Sequence, residues 1–102
     1  MTDLPRLLRA LPKFAGPFDA HKLAASGCDV LFASYPAGTT IALHTHDTEN
    51  VGIITKGSLL LTMDGKTERF QIGDWYHVPA QAPHAAQFDE ESSEIEFWFH
   101  RA

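Results

Sequence analysis

Gly38-Thr-Thr-Ile-Ala-Leu-His44-Thr-His46-Asp-Thr-Glu-Asn50-Val-Gly-Ile-Ile-Thr-Lys-Gly57 is the stretch from which the rest of the chain can be read. The residues around its histidines are β-branched and apolar, the composition of a strand. Successive strand side chains point to opposite faces, so His44 and His46 share a face and Thr45 takes the other. Their Cα atoms then lie roughly 6.5–7 Å apart, close enough for both rings to reach one ion.

Strand signals continue on both sides of this stretch. Upstream, Cys28 to Tyr35 alternates Val30, Phe32 and Ser34 against Leu31, Ala33 and Tyr35, and Pro36-Ala-Gly38 makes a turn. Downstream come Val51 to Thr55, a bend at Lys56-Gly57, and Ser58 to Met63. Asp64-Gly65 is a type I′ hairpin signal returning into Thr67 to Gln71. Gly73-Asp74 turns into Trp75 to Val78, and a proline-bounded loop from Pro79 to Pro83 leads to His84 to Phe88. After a polar loop from Asp89 to Ser93, the last strand alternates Glu94, Glu96 and Trp98 against Ile95, Phe97 and Phe99. Leucines at 4, 7, 8 and 11 have helical spacing, with Thr2 or Asp3 as cap and Pro5 in the first turn, before Pro12, Gly16 and Pro17 break the chain.

Many short strands separated by turn signals predict an all-β sandwich or barrel. The double-sheet jelly roll is the small architecture of this class that leaves a cavity for polar side chains. The expected organisation is an N-terminal helix or arm with a first strand region over residues 1–27, then a single barrel domain over 28–102.

Bulk properties narrow the function. A chain of 102 residues supports one core. A hydrophobic fraction of 44% and a charged fraction of 21% are those of a globular protein. Net charge −5 without a Lys/Arg cluster argues against nucleic acid and anionic membrane as partners. A single cysteine, Cys28, forms no internal disulfide and fits a reducing compartment. Asp3, Pro5 and Arg6 interrupt any signal-like N-terminus, and the expected location is cytoplasmic.

Two spaced motifs resemble those of the cupin superfamily, in its small single-domain form. The first cupin motif is matched by Gly38, His44, His46 and Gly57, and Asn50 stands at the position usually held by an acid or glutamine. The second is matched by Gly73, Pro79 and His84. Gln81 stands where the family's glycine usually is, and Phe88 where an asparagine often follows. Together the motifs span about half the chain. The resemblance implies a double-stranded β-helix (the jelly-roll or cupin barrel), often a homodimer, with a metal held by His44, His46, His84 and Asn50. Glu49 is the alternative to Asn50, although alternation turns it to the other face.

Three neutral imidazoles with open positions suit a divalent transition metal: Zn, Ni, Fe, Mn or Cu. Occupancy should fall as pH drops through about 6, because the ligands must be neutral. His77 and Tyr76 are candidates for a catalytic or substrate-binding role, and Trp75, Phe88, Phe97 and Phe99 for the pocket wall, with Trp98 the alternative on the last strand. The expected function is metal-dependent chemistry on a small oxygenated molecule, either dioxygenase-like or an isomerase- or lyase-type conversion of a sugar acid or keto acid. The alternative is non-catalytic binding or sensing of a small ligand.

Overall fold

The computed structural model describes residues 5–16 and 18–100. The capping residues expected at Thr2 or Asp3, together with Leu4 and Pro17, lie outside them. The helical signal yields one turn, α1 (Arg6–Arg9), entered from Pro5. It buries no residue, and Leu7 is exposed. The following arm bridges Lys13 to His21 and stacks Phe14 on Phe18, with ring centroids 5.5 Å apart.

Nine strands follow: β1 (Asp19–Ala25), β2 (Cys28–Tyr35), β3 (Thr39–His44), β4 (Glu49–Lys56), β5 (Ser58–Met63), β6 (Lys66–Gln71), β7 (Trp75–Val78), β8 (His84–Phe88) and β9 (Ser92–Phe99). They form two antiparallel sheets, ordered β1-β2-β9-β4-β7 and β3-β8-β5-β6. Chain neighbours such as β2 and β3, or β4 and β5, lie in different sheets, which makes the all-β jelly-roll barrel. Turn chemistry fixes the hairpins: Asp64 and Gly65 both have positive φ, 55° and 72°, as a type I′ turn requires.

The core lies between the sheets and is built from Ala20 of β1, Leu31, Ala33 and Tyr35 of β2, Ile54 of β4, Leu59 and Leu61 of β5, Val78 of β7 and Phe88 of β8. Phe88 stacks flat on Tyr35 at 3.9 Å, joining the two sheets through their largest buried rings. Burying one such aliphatic or aromatic side chain stabilises the fold by about 1.5–3 kcal/mol.

Two details differ from the sequence reading. Strand β3 ends at His44, and its register against β8 slips between Ile41 and His44, so His46 sits beyond the strand. Strand β9 begins at Ser92, inside the expected polar loop. Ser92 and Ser93 are buried there, and Ser92 Oγ accepts the Ser58 N–H at 3.1 Å.

Candidate metal centre and cavity

His44, at the end of β3, and His84, at the start of β8, are cross-strand partners, with ring centroids 4.1 Å apart. Each ring turns its Nδ1 to the carbonyl oxygen two residues back: His44 to Ala42 at 2.7 Å and His84 to Ala82 at 2.9 Å. A carbonyl only accepts, so each Nδ1 carries the proton and each Nε2 presents a lone pair. Metal-binding histidines commonly have their other nitrogen fixed in this way.

His46 completes the cluster from the loop. Its Nε2 lies 3.1 Å from that of His44, and one ligand nitrogen from each of the three rings falls within 4.8 Å of the others. Two nitrogens bound tetrahedrally at the usual zinc distance would be about 3.3 Å apart. The donor set therefore fits a transition ion. The Pro79–Pro83 loop fastens His46 in place, because Gln81 N–H donates to the His46 carbonyl at 2.7 Å. Gln81 does so with φ 66°, the left-handed backbone that a glycine adopts most easily. Burial, then the neighbouring His44 and His84 charges, lower His46 to about 4, and burial also lowers His84. For these two rings the neutral form persists to lower pH than in a free histidine.

The cluster opens into a cavity of about 90 Å³ between the sheets, room for a few waters or a small organic molecule. Ile41, Leu59, Leu61, Val78, Ala86 and Phe88 make its apolar wall. Tyr76 also lines it and donates its hydroxyl to Glu94. That ring lies over Gly52 in β4, where a Cβ would come within 2.5 Å of it.

Several residues read from the sequence lie elsewhere. Asn50 is buried, but its Oδ1 accepts the Thr48 hydroxyl at 2.5 Å and it does not line the cavity. Glu49 stands on the outer side, accepting from Ala80 N–H at 2.5 Å and pairing with His77 Nε2 at 2.8 Å. It is outside the histidine cluster. Alternation along β7 turns Tyr76 and Val78 inward and Trp75 and His77 outward, so His77 does not face the cavity and Trp75 is 57% exposed. Trp75 packs against Phe97 on that outer face, 6.2 Å between centroids, and Phe99 is exposed. Neither Phe97 nor Phe99 lines the cavity; Trp98 does, its ring 4.8 Å from His46.

The inward face of β9 is thus the acidic one. Glu94 and Glu96 line the cavity at 2% and 6% exposure. Burial, then repulsion from Glu96, holds the Glu94 carboxyl well above the usual carboxylate range, and burial raises Glu96 as well. Tyr35 and Tyr76 are pushed well above 10 by burial and by these carboxyls. From sequence alone the opposite face of β9 is the expected inner one, because phenylalanine is buried far more often than glutamate. The available signal was Trp98 sharing a face with two acids, together with tyrosines at 35 and 76 whose hydroxyls need acceptors once buried.

Comparison with known proteins agrees with this architecture. A family profile described as Cupin domain matches residues 31–99. Among solved structures, KdgF from Halomonas sp. superposes with TM-score 0.77 at 19% identity, covering 88% of this chain and 87% of that one. An RmlC-like cupin from Shewanella frigidimarina gives TM-score 0.80 at 17% identity, with 91% and 86% covered. Salicylate 1,2-dioxygenase from Pseudoaminobacter salicylatoxidans (its W104Y variant) gives 0.75 at 21% identity; 86% of this chain corresponds to 28% of that larger one. No protein of curated function matches the chain in sequence. No helix among the described residues is long and apolar enough to cross a membrane.

Proposed function

The chain belongs to the cupin family, and on that premise we propose that it binds a divalent transition metal through His44, His46 and His84 and uses it in chemistry on a small oxygenated molecule. The observation that carries this reading is the convergence of three imidazoles on one wall of the cavity between the sheets. Zinc, nickel, iron, manganese and copper all accept such a donor set, and the bound ion supplies Lewis acidity toward a carbonyl or hydroxyl oxygen. His44 and His84 are held by backbone carbonyls in the tautomer that ligation needs. Leu59, Leu61 and Phe88 keep bulk water from the ligand, and Trp98 closes the side next to His46. Protein purified without a histidine tag and offered Zn, Ni or Fe(II) should take up about one ion per chain by elemental analysis. A chain that arrives empty and takes up none of the three would overturn the reading.

We also propose that the chain works as a homodimer through the outer face of the larger sheet. Cross-strand register lines up Leu23, Val30, Phe97 and Val51 in one row and Phe32, Ile95, Ile53 and Trp75 in the next. A continuous apolar surface of this kind is the usual mark of an association site. Light scattering after size exclusion should give the dimer mass for the wild type and the monomer mass for the Trp75→Asp/Phe97→Asp double variant, with metal content unchanged. A wild-type monomer at micromolar concentration would remove this part.

A further inference from the structure

The cavity has a second polar wall that the histidine cluster leaves unused. Tyr76 donates its hydroxyl to Glu94 Oε1, Tyr35 donates to Glu96 Oε2 at 2.5 Å, and Trp98 Nε1–H donates to Glu96 Oε1 at 2.9 Å. Both carboxyls are buried and line the same cavity from one face of β9. Among the described residues, no lysine or arginine lines this cavity. Two ionised carboxylates without a counter-cation would be costly at this depth, so one of the two keeps a proton.

The donors indicate which carboxyl keeps the proton. Glu96 takes the Tyr35 hydroxyl and the Trp98 N–H, filling both of its oxygens with donors. Such a set favours the ionised form. Of these donors Glu94 takes the Tyr76 hydroxyl alone, on Oε1, so its carboxyl is the one that keeps the proton. Trp98 links the pair to the metal wall, since the indole that donates to Glu96 also lies against His46.

We propose that Glu94, protonated, and Glu96, ionised, are an acid–base pair of the cavity, and that its ligand is a small uncharged α-hydroxy carbonyl compound with a C–H on the hydroxyl-bearing carbon. The reaction is a proton shift. Glu96 takes the proton from that carbon, and the C–H electron pair becomes the C=C bond of an enol. Glu94 gives its proton to the carbonyl oxygen, which keeps the former C=O π pair. With a hydroxyl on the deprotonated carbon the enol is an enediol. Glu96 returns its proton to the former carbonyl carbon, the C=C pair becoming the new C–H bond. Glu94 takes the proton of the second hydroxyl, whose O–H pair becomes the new C=O. The pair again holds one proton, and the isomerisation needs no oxidant. The assignment rests on the metal-binding reading for the polarisation of the carbonyl, while the shared proton itself stands without a metal.

Infrared spectroscopy of the metal-free protein at neutral pH tests the pair. The wild type should show a protonated-carboxyl C=O stretch that Glu94→Gln removes and Glu96→Gln keeps. No such band in the wild type, or a band lost in Glu96→Gln and kept in Glu94→Gln, overturns the assignment. The chemistry is read from exchange of the methylene protons of hydroxyacetone for deuterium in D2O, followed by NMR on zinc-loaded protein. Glu96→Gln should exchange about a hundredfold more slowly than the wild type. Equal rates overturn the acid–base role. If Glu96→Gln does not fold, Tyr35→Phe, which strips one donor from Glu96, should still change the rate, and an unchanged rate counts equally against the proposal. Zinc content is measured on the same samples. A chain that shows the band but takes up no zinc defeats the metal reading and leaves the shared proton standing.

Discussion

Zinc is expected to bind the His84→Ala protein at least about a hundredfold more weakly than the wild type, a loss of about 2.7 kcal/mol. Removing a partner that merely orients a metal-binding histidine already costs about 10–100-fold. His84 would be lost as a ligand outright, and with it the ring contact that His44 makes across the strands. The fold should survive, because the ring lies at the cavity wall and the hydrophobic cluster is built from other residues. Competition against a chelator gives the affinity, and circular dichroism verifies the fold. Full affinity in a folded His84→Ala protein would mean that the histidines meet for some other reason. His44→Ala should behave alike, since its Nε2 is the one that faces His46.

The largest loss of stability from a single methyl group is expected at Gly57. Its φ is +70°, and an added Cβ would lie 2.5 Å from the Glu91 carbonyl oxygen and collide with Ser92 Oγ. Ser92 cannot step aside. It is fully buried, takes the Ser58 N–H and donates toward the Ser58 and Glu90 carbonyls. The left-handed backbone costs a non-glycine residue about 1–2 kcal/mol. Forcing an extra group into a packed site adds about 1–3 kcal/mol. Gly57→Ala should therefore lower the unfolding free energy by about 2–5 kcal/mol in urea titration. Gly38 supplies the control: its φ is +84°, but nothing lies within 4 Å of its added Cβ, so Gly38→Ala should show only the backbone part. Equal losses at the two positions would show that the Ser92 contact gives way at little cost.

Local chemistry made most of the fold readable. Asp64-Gly65 named its own turn, and the resemblance of Gly38, His44, His46, Gly57, Gly73, Pro79 and His84 to the cupin motifs implied the barrel. Gln81 looked like a departure from the family pattern, yet it adopts the backbone shape that the glycine would have supplied. What stayed hidden depends on contacts between distant strands. Alternation shows that Glu94, Glu96 and Trp98 share a face, but not which face is inward. That choice is made by Tyr35 and Tyr76, on β2 and β7, whose hydroxyls supply the hydrogen bonds two buried carboxyls need. Glu49 and His77 were beyond reach for the same reason: they meet each other across β4 and β7 on the outer surface. The slip in β3 that carries His46 off the strand likewise has no mark in the sequence around it.

Trp98 touches both walls of the cavity, the His46 ring on one side and the Glu96 carboxyl on the other. The chain has two tryptophans, and the second, Trp75, stands on the outer surface. Replacing Trp75 with phenylalanine would leave a single tryptophan, whose emission is expected to report ion loading and ligand entry together. The molecule thus carries its own optical gauge, placed where label-free binding curves can be recorded before any substrate is known.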